Sequence, residues 1–260
     1  MQHIVIQTAN PNPLLKEDGW FTNGVGRQFS HKFGYGLMDA SALVDAALDW
    51  PGISPQQECI SAVMNPNLNL AKKANDVVKV AVSTNGCKDT SNAINVLEHV
   101  VCKITLRHNP RGSLHIVLIS PMGTRSSLLL PRPRDKTDSG FENWPFLSVH
   151  FWGEAPNGTW TLEVTQNEGN TRRPGVLKSW QLIMYGTITD LTQMTVPKET
   201  MEKEETFVID ENLMHDLDVD KENENNEIRI PGSSRYVKSM FFGHFEIFVK
   251  FVQMLNYSFG

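Results

Sequence analysis

Three cysteines in 260 residues are too few for a disulfide-dense fold, in which several bridges replace a hydrophobic core. Basic charge is not in excess either. Against 29 Asp+Glu stand 24 Lys+Arg, a net charge of −5, which excludes nucleic acid as the default partner. With 18 Gly and 14 Pro, collagen-like and low-complexity chains are excluded as well. The opening residues MQHIVIQTAN lack the basic n-region, apolar core and small-residue cleavage site of a signal peptide, which taken alone points to a cytosolic chain.

What is present is an ordinary globular composition, 40% hydrophobic and 9% aromatic, long enough to bury a core in one large or two modest domains. The charge is unevenly spread. Residues 1–187 carry 17 basic against 15 acidic side chains, and 188–260 carry 7 against 14. Residues 199–227 hold 12 acids, 2 bases and one aromatic, Phe207, the composition of a solvated, disordered tail. Tyr236–Phe259 is Phe-rich, but Lys238, His244, Glu246 and Lys250 cut it far below the ~20 apolar residues of a membrane span. If helical, it aligns Val237, Phe241, Phe245, Phe248, Val252 and Leu255 on one face, as an interfacial helix would.

Residues 1–9 read as a helix end stopped by Asn10-Pro11-Asn12-Pro13, and Asn23–Gly26 as a turn. Residues 39–48 read as a helix with Asp39 as N-cap and Pro51-Gly52 as stop. That helix is apolar nearly all round and expects partners on several sides. From about residue 55 the period is two. Val78, Val80 and Val82 alternate, Val96–Arg107 places Val100, Cys102, Ile104 and Leu106 on one face, and 114–120, 125–130, 147–152, 159–165 and 176–185 follow. Turn residues separate them, so residues 55–187 are expected to form a β-sandwich or jelly-roll.

Chemistry is scarce. There is no G-x-S-x-G, and Gly123-Thr124-Arg125-Ser126 reads as a hairpin loop. The eight histidines, His99, His115 and His150 among them, have no partners at zinc-ligand spacing. Glu142 and Glu154 can be posed as an acid/base pair, but strand ends make both solvated carboxylates. The six Trp (20, 50, 144, 152, 160, 180) read as core and edge packing; Trp144, Trp152 and Trp160 also motivate a carbohydrate-binding alternative. The cysteines allow two readings, three separate thiols or one Cys59–Cys87 bridge with Cys102 buried. Such a bridge is worth ~3–4 kcal/mol.

A family resemblance adds to this. MQHIVIQT (1–8), NGVGR (23–27), SHKFGYGLMDA (30–40), LEHV (97–100), PRGSL (110–114), SPMGTRSS (120–127), GFENW (140–144), HFWGE (150–154), GTWTL (158–162) and LIMYGT (182–187) resemble, in order, a furin/kexin-like proprotein convertase. These are subtilisin-like serine endoproteases that cleave secretory precursors after paired basic residues. The resemblance implies that 1–54 is a remnant of the catalytic domain and 55–187 a P (homo B) domain, a β jelly-roll. It leaves 188–235 as acidic disordered tail and 236–260 as a Phe-rich segment of unassigned role.

The family triad of Asp, His and Ser lies before the MQHIV-like segment. No catalytic, oxyanion-hole or calcium position therefore carries over, and this chain alone is expected to be inactive and without cofactor. Calcium is expected for the intact enzyme. Further implications are a Cys59–Cys87 disulfide, a secretory-pathway location, a usable sequon at Asn157-Gly158-Thr159 unless Asn-Gly serves as a hairpin turn, and as partners the catalytic domain and, through it, proprotein substrates, with membrane association left open. Arg172-Arg173 forms a paired-basic cleavage candidate, with an exposed charged loop as the simpler reading. Arg111-Gly112-Ser113 replaces the family's frequent Arg-Gly-Asp. The alternative function is a stand-alone P-domain binding module or decoy.

Overall fold

The computed structural model describes residues 1–48, 50–71, 73–167 and 175–188, and the strand pair 227–229 and 236–238. The N-terminal segment begins with α1, Gln2–Thr8. It ends where Asn10 leaves the helix to bridge Leu37, ahead of the proline that cannot continue it. A short hairpin follows, β1 (Trp20–Thr22) and β2 (Gln28–Ser30), registered Trp20 to Ser30 and closed by the 23–26 turn. These three-residue strands are too short to show alternation and were not legible in the sequence. The helix α2, Ala40–Leu48, has the expected cap, Asp39 Oδ1 accepting from the Ala42 N–H at 3.0 Å. Its expected surroundings are not all there. It packs on α1, only Leu43 is buried, and Leu48 is 57% exposed.

The β domain is two antiparallel sheets. One has the order β5-β10-β7-β8, from Val78–Thr84, Gly158–Gln166, Leu114–Ile119 and Arg125–Leu129. The other has the order β3-β11-β6-β9, from Gln57–Ile60, Val176–Thr187, Val96–Arg107 and Phe141–Ser148, with β4 (Leu68–Asn69) also paired to β11. Apart from the β7–β8 hairpin, each step from β5 to β11 crosses between sheets, the jelly-roll manner of connecting strands. Alternation supplies the core: Cys102, Ile104 and Leu106 from β6, Leu114, Ile116 and Leu118 from β7, and Trp160 and Leu162 from β10 are all fully buried.

Bulges set where the alternation changes phase. On β11 the pairing moves from Leu177–Leu106 to Ser179–Thr105, so Lys178 is the extra residue. The inward set thereby changes from Leu177 to Trp180, Leu182 and Met184. On β6, Glu98 is the extra residue between the Leu97–Gly186 and His99–Tyr185 pairs. On β9 the shift falls between Phe141 and Trp144, where Asn143 has φ 46°. That bulge and Pro145 break the strand's pattern, which explains one error of bounds. The strand expected at 147–152 runs instead from Phe141 to Ser148, and Val149–Trp152 is a turn closed by the Trp152 N–H to Val149 O.

Cys59 on β3 and Cys87 just after β5 form a disulfide, Cα–Cα 5.7 Å, which ties the edge of one sheet to the edge of the other. Cys102 is free and fully buried, and burial pushes its thiol pKa up, so it is inert packing. Beyond residue 188, Glu227–Arg229 (β12) pairs antiparallel with Tyr236–Lys238 (β13), so these last three residues are extended and not helical. The rest of the acidic and Phe-rich segments, and Arg172-Arg173, lie outside the described residues.

Removing a fully buried indole, Trp160→Ala, is expected to lower the stability of the β domain by about 3–5 kcal/mol, and Cys59→Ser with Cys87→Ser by about 3 kcal/mol. Denaturant titration of both variants beside the parent measures the two losses.

Candidate functional site: the seam between the N-terminal segment and the β domain

The expected catalytic candidates do not assemble. Glu142 is exposed at the β9 bulge. Glu154 is not the solvated carboxylate expected of a strand end, for it has no exposed surface at all. Ser126 Oγ lies 2.9 Å from His150 Nδ1, the distance of a nucleophile–base pair. Ser126 is 1% exposed, however, and also bonds Ser148 Oγ at 2.8 Å. Burial lowers the His150 pKa to about 4, with repulsion from His31 adding to it. A pair with no access and so weak a base is a structural hydrogen-bond chain. A cavity of about 460 Å³ beside the disulfide is lined by Ile60, Ser61, Ser83, Thr84 and Asn85 and offers no acid or base. Among the described residues no group of three His, Cys, Asp or Glu is placed to hold a metal ion.

What does assemble is a polar seam joining residues 1–56 to the sandwich. The turn after β1 inserts into the β domain. Asn23 Nδ2 donates to His150 O and Trp152 O at 3.1 and 3.0 Å, while its Oδ1 accepts from the Val25 and Arg27 N–H groups. One 5% exposed amide thus uses donors and acceptor together to hold its own turn against the 150–152 turn. The next residue, Gly24, donates its N–H to Thr124 Oγ1 at 2.8 Å and Glu154 Oε1 at 2.9 Å, and the Thr124 hydroxyl donates to the same Glu154 oxygen. Gly24 is required by closeness: a Cβ there would lie 2.4 Å from Met122 Cβ.

A second anchor centres on Glu98. As the extra residue of the β6 bulge its side chain is re-aimed, and it is 3% exposed. His3 Nε2 on α1 meets Glu98 Oε1 at 2.7 Å, and Gln56 Nε2 donates to the other oxygen. Burial raises the Glu98 pKa, but the hydrogen bonds from His3 and Gln56 outweigh it and leave the carboxyl below its ordinary value. Aromatic contacts fill the space between. Phe29, 1% exposed, stacks on His150 with centroids 4.2 Å apart, His31 meets the same ring edge-on at 4.5 Å, and His3 meets Trp152 at 4.8 Å. The Tyr35 hydroxyl donates to Val149 O.

Glu98, Asn23, Tyr35 and His3 were not singled out by a search for nucleophiles and metal ligands, while Thr124, Ser126 and His150 were met in that search and read as a hairpin loop and a histidine without zinc-ligand partners. Their segments were nevertheless among those quoted for the resemblance: MQHIVIQT, NGVGR, SHKFGYGLMDA, LEHV, SPMGTRSS and HFWGE all meet here. By contrast Arg111 of the Arg-Gly-Ser sequence lies elsewhere, its Nε donating to Asp135 Oδ2 at 2.8 Å. That bond, with Thr137 also donating, lowers the Asp135 pKa to about 2.

Fold and seam together define a β-sandwich domain that docks through buried polar contacts onto a segment preceding it in the chain. The comparisons give that class its family. Residues 97–184 match the model of the proprotein convertase P-domain. The chain is 52% identical over 191 residues to furin-like protease 2 of Drosophila melanogaster, covering 73% of this chain and 11% of that protein. It is 43% identical over 190 residues to furin of Rattus norvegicus, covering 73% and 23%. The crystal structure of a serine protease of Aeromonas sobria superposes with TM-score 0.56 at 26% identity, over 65% of this chain and 33% of that one. The chain therefore spans about a tenth to a quarter of the length of the curated relatives it matches. It carries a P domain of the furin-like proprotein convertases.

Two outcomes follow from the seam. Asn23→Ala strips partners from two buried carbonyls and two N–H groups, and is expected to cost about 2–3 kcal/mol. Limited proteolysis should then release residues 1–50 while the sandwich stays resistant. His150 has a folded pKa of about 4 against ~6.5 unfolded. The unfolded state thus binds more protons between those values, and the contribution present above pH 6.5 is lost as pH falls toward 4. Denaturation at pH 7 and pH 5 should differ by about 1–2 kcal/mol from this group, and His150→Gln should remove that part of the slope.

Proposed function

We propose that this chain is the C-terminal part of a furin/kexin-like serine endopeptidase of the secretory pathway, which cleaves precursor proteins after paired basic residues. In this reading residues 1–54 complete the catalytic domain, and the P domain stabilises it by packing and by the seam, without taking part in bond cleavage. Catalytic residues and calcium ligands belong to the remainder of the protease, and proprotein substrates reach the P domain only through it. The observation that carries the reading is the unfinished surface of the N-terminal segment. One side is locked into the sandwich, while Phe21, Leu37, Met38 and Leu48 are 52%, 48%, 68% and 57% exposed. Apolar exposure on this scale beside a docked face is surface awaiting a partner.

The test is the native protein, captured from its source with an antibody against the β domain. A mass well above the 29.3 kDa of this chain, with hydrolysis of a fluorogenic peptide after paired arginines, is the expected result. A 29 kDa monomer without hydrolysis that binds a convertase lacking its own P domain would replace this reading with that of a stand-alone module.

A further inference from the structure

The sequon Asn157-Gly158-Thr159 has no structural explanation for its first residue. A hairpin role for Asn-Gly is excluded by topology. Gly158 opens β10, whose neighbours are β5 and β7, whereas the preceding strand, β9, lies in the other sheet. Asn157 is not among the residues with positive φ, so the tolerance of asparagine for the left-handed region is not being used. Its side chain is exposed and makes no hydrogen bond among the described residues.

The flanking positions, by contrast, are held. Pro156 is buried and its carbonyl accepts from Trp160 Nε1 at 3.0 Å. Gly158, at φ 125°, is so close to the next turn that a Cβ would lie 2.7 Å from Pro121 Cβ. The fold thus dictates glycine at the middle position, which an acceptor sequon accepts, and presents an unengaged amide on a fixed backbone. Thr159 is exposed, its hydroxyl 3.1 Å from Ser83 Oγ.

We propose that Asn157 is an N-glycosylation site, its glycan standing at the sheet end beside the Pro121–Gly123 turn and the exposed Met122 (43%). This rests on the secretory-pathway reading above, because the donor is a lipid-pyrophosphate-linked oligosaccharide of the endoplasmic reticulum. The Asn157 Nδ2 forms a bond to the anomeric carbon of the first sugar, whose bond to the pyrophosphate oxygen breaks. The amide loses one proton, and the lipid pyrophosphate leaves with the bonding electrons. A bulky, solvated group on this side chain meets open solvent and disturbs neither the core nor the hydrogen bonds of the seam.

The test uses the full chain behind a cleavable signal peptide in a secreting eukaryotic cell. The chain also contains Asn256-Tyr257-Ser258, outside the described residues, so the parent for the experiment is N256Q. Expected is a mobility shift removed by peptide N-glycosidase, lost completely in N157Q and in Thr159→Val, and retained in Thr159→Ser. N157Q should keep the thermal midpoint of the deglycosylated parent. The Cys59–Cys87 bond, read by non-reducing electrophoresis, reports passage through the oxidising lumen. Disulfide formed with no glycosidase-sensitive shift overturns the glycan and leaves the secretory reading standing. Neither disulfide nor shift removes both.

Discussion

A carboxyl group with no exposed surface must find its partners within the protein, and Glu154 finds them across the seam on one oxygen only, while its Oε2 is buried without a hydrogen-bond partner. Its Oε1 accepts from the Gly24 N–H of the N-terminal segment and from the Thr124 hydroxyl of the β7–β8 hairpin. Burying a polar group costs free energy unless hydrogen bonds replace those lost to water, so the two bonds on Oε1 matter the more. The carboxylate therefore needs both the hairpin and the inserted turn. That requirement, repeated at Glu98 with His3 and Gln56, makes residues 1–56 a structural part of the sandwich and not an appended tail.

Most of the β domain was legible because a half-buried strand announces itself by period two. Val78–Thr84, 114–119 and 158–166 lay within a residue or two of where the alternation placed them. β9 was misplaced because its bulge near Asn143 and its Pro145 interrupt the pattern. The seam was invisible for a different reason. Its bonds join residues 42 to 130 apart in sequence, and a glutamate that will be buried by a distant turn looks like one that will be solvated. What the sequence did offer was a set of short segments resembling one family, without any indication that six of them converge.

The convergence shows why a search for chemistry returned little. The histidines, carboxylates and hydroxyls that would attract attention in a cleft are here employed as mutual partners at a joint. Ser126 and His150 are the clearest case, at a distance suited to proton transfer but closed off by Phe29, His31 and Ser148. Burial and the direction of the pKa, and not proximity, separate a structural pair from a reactive one.

The turn at Gly24 has a practical consequence for anyone recombining such proteins. It seats against Met122 with no clearance for even one methyl group, while its amide must still reach Thr124 and Glu154. The joint is keyed: a foreign front half would fit this sandwich only if it brought glycine at this place, preceded by an asparagine able to bridge its own turn and the turn at 150–152. Compatibility in a chimera would thus be decided by a dipeptide and its receiving notch, whatever the overall similarity of the halves being joined.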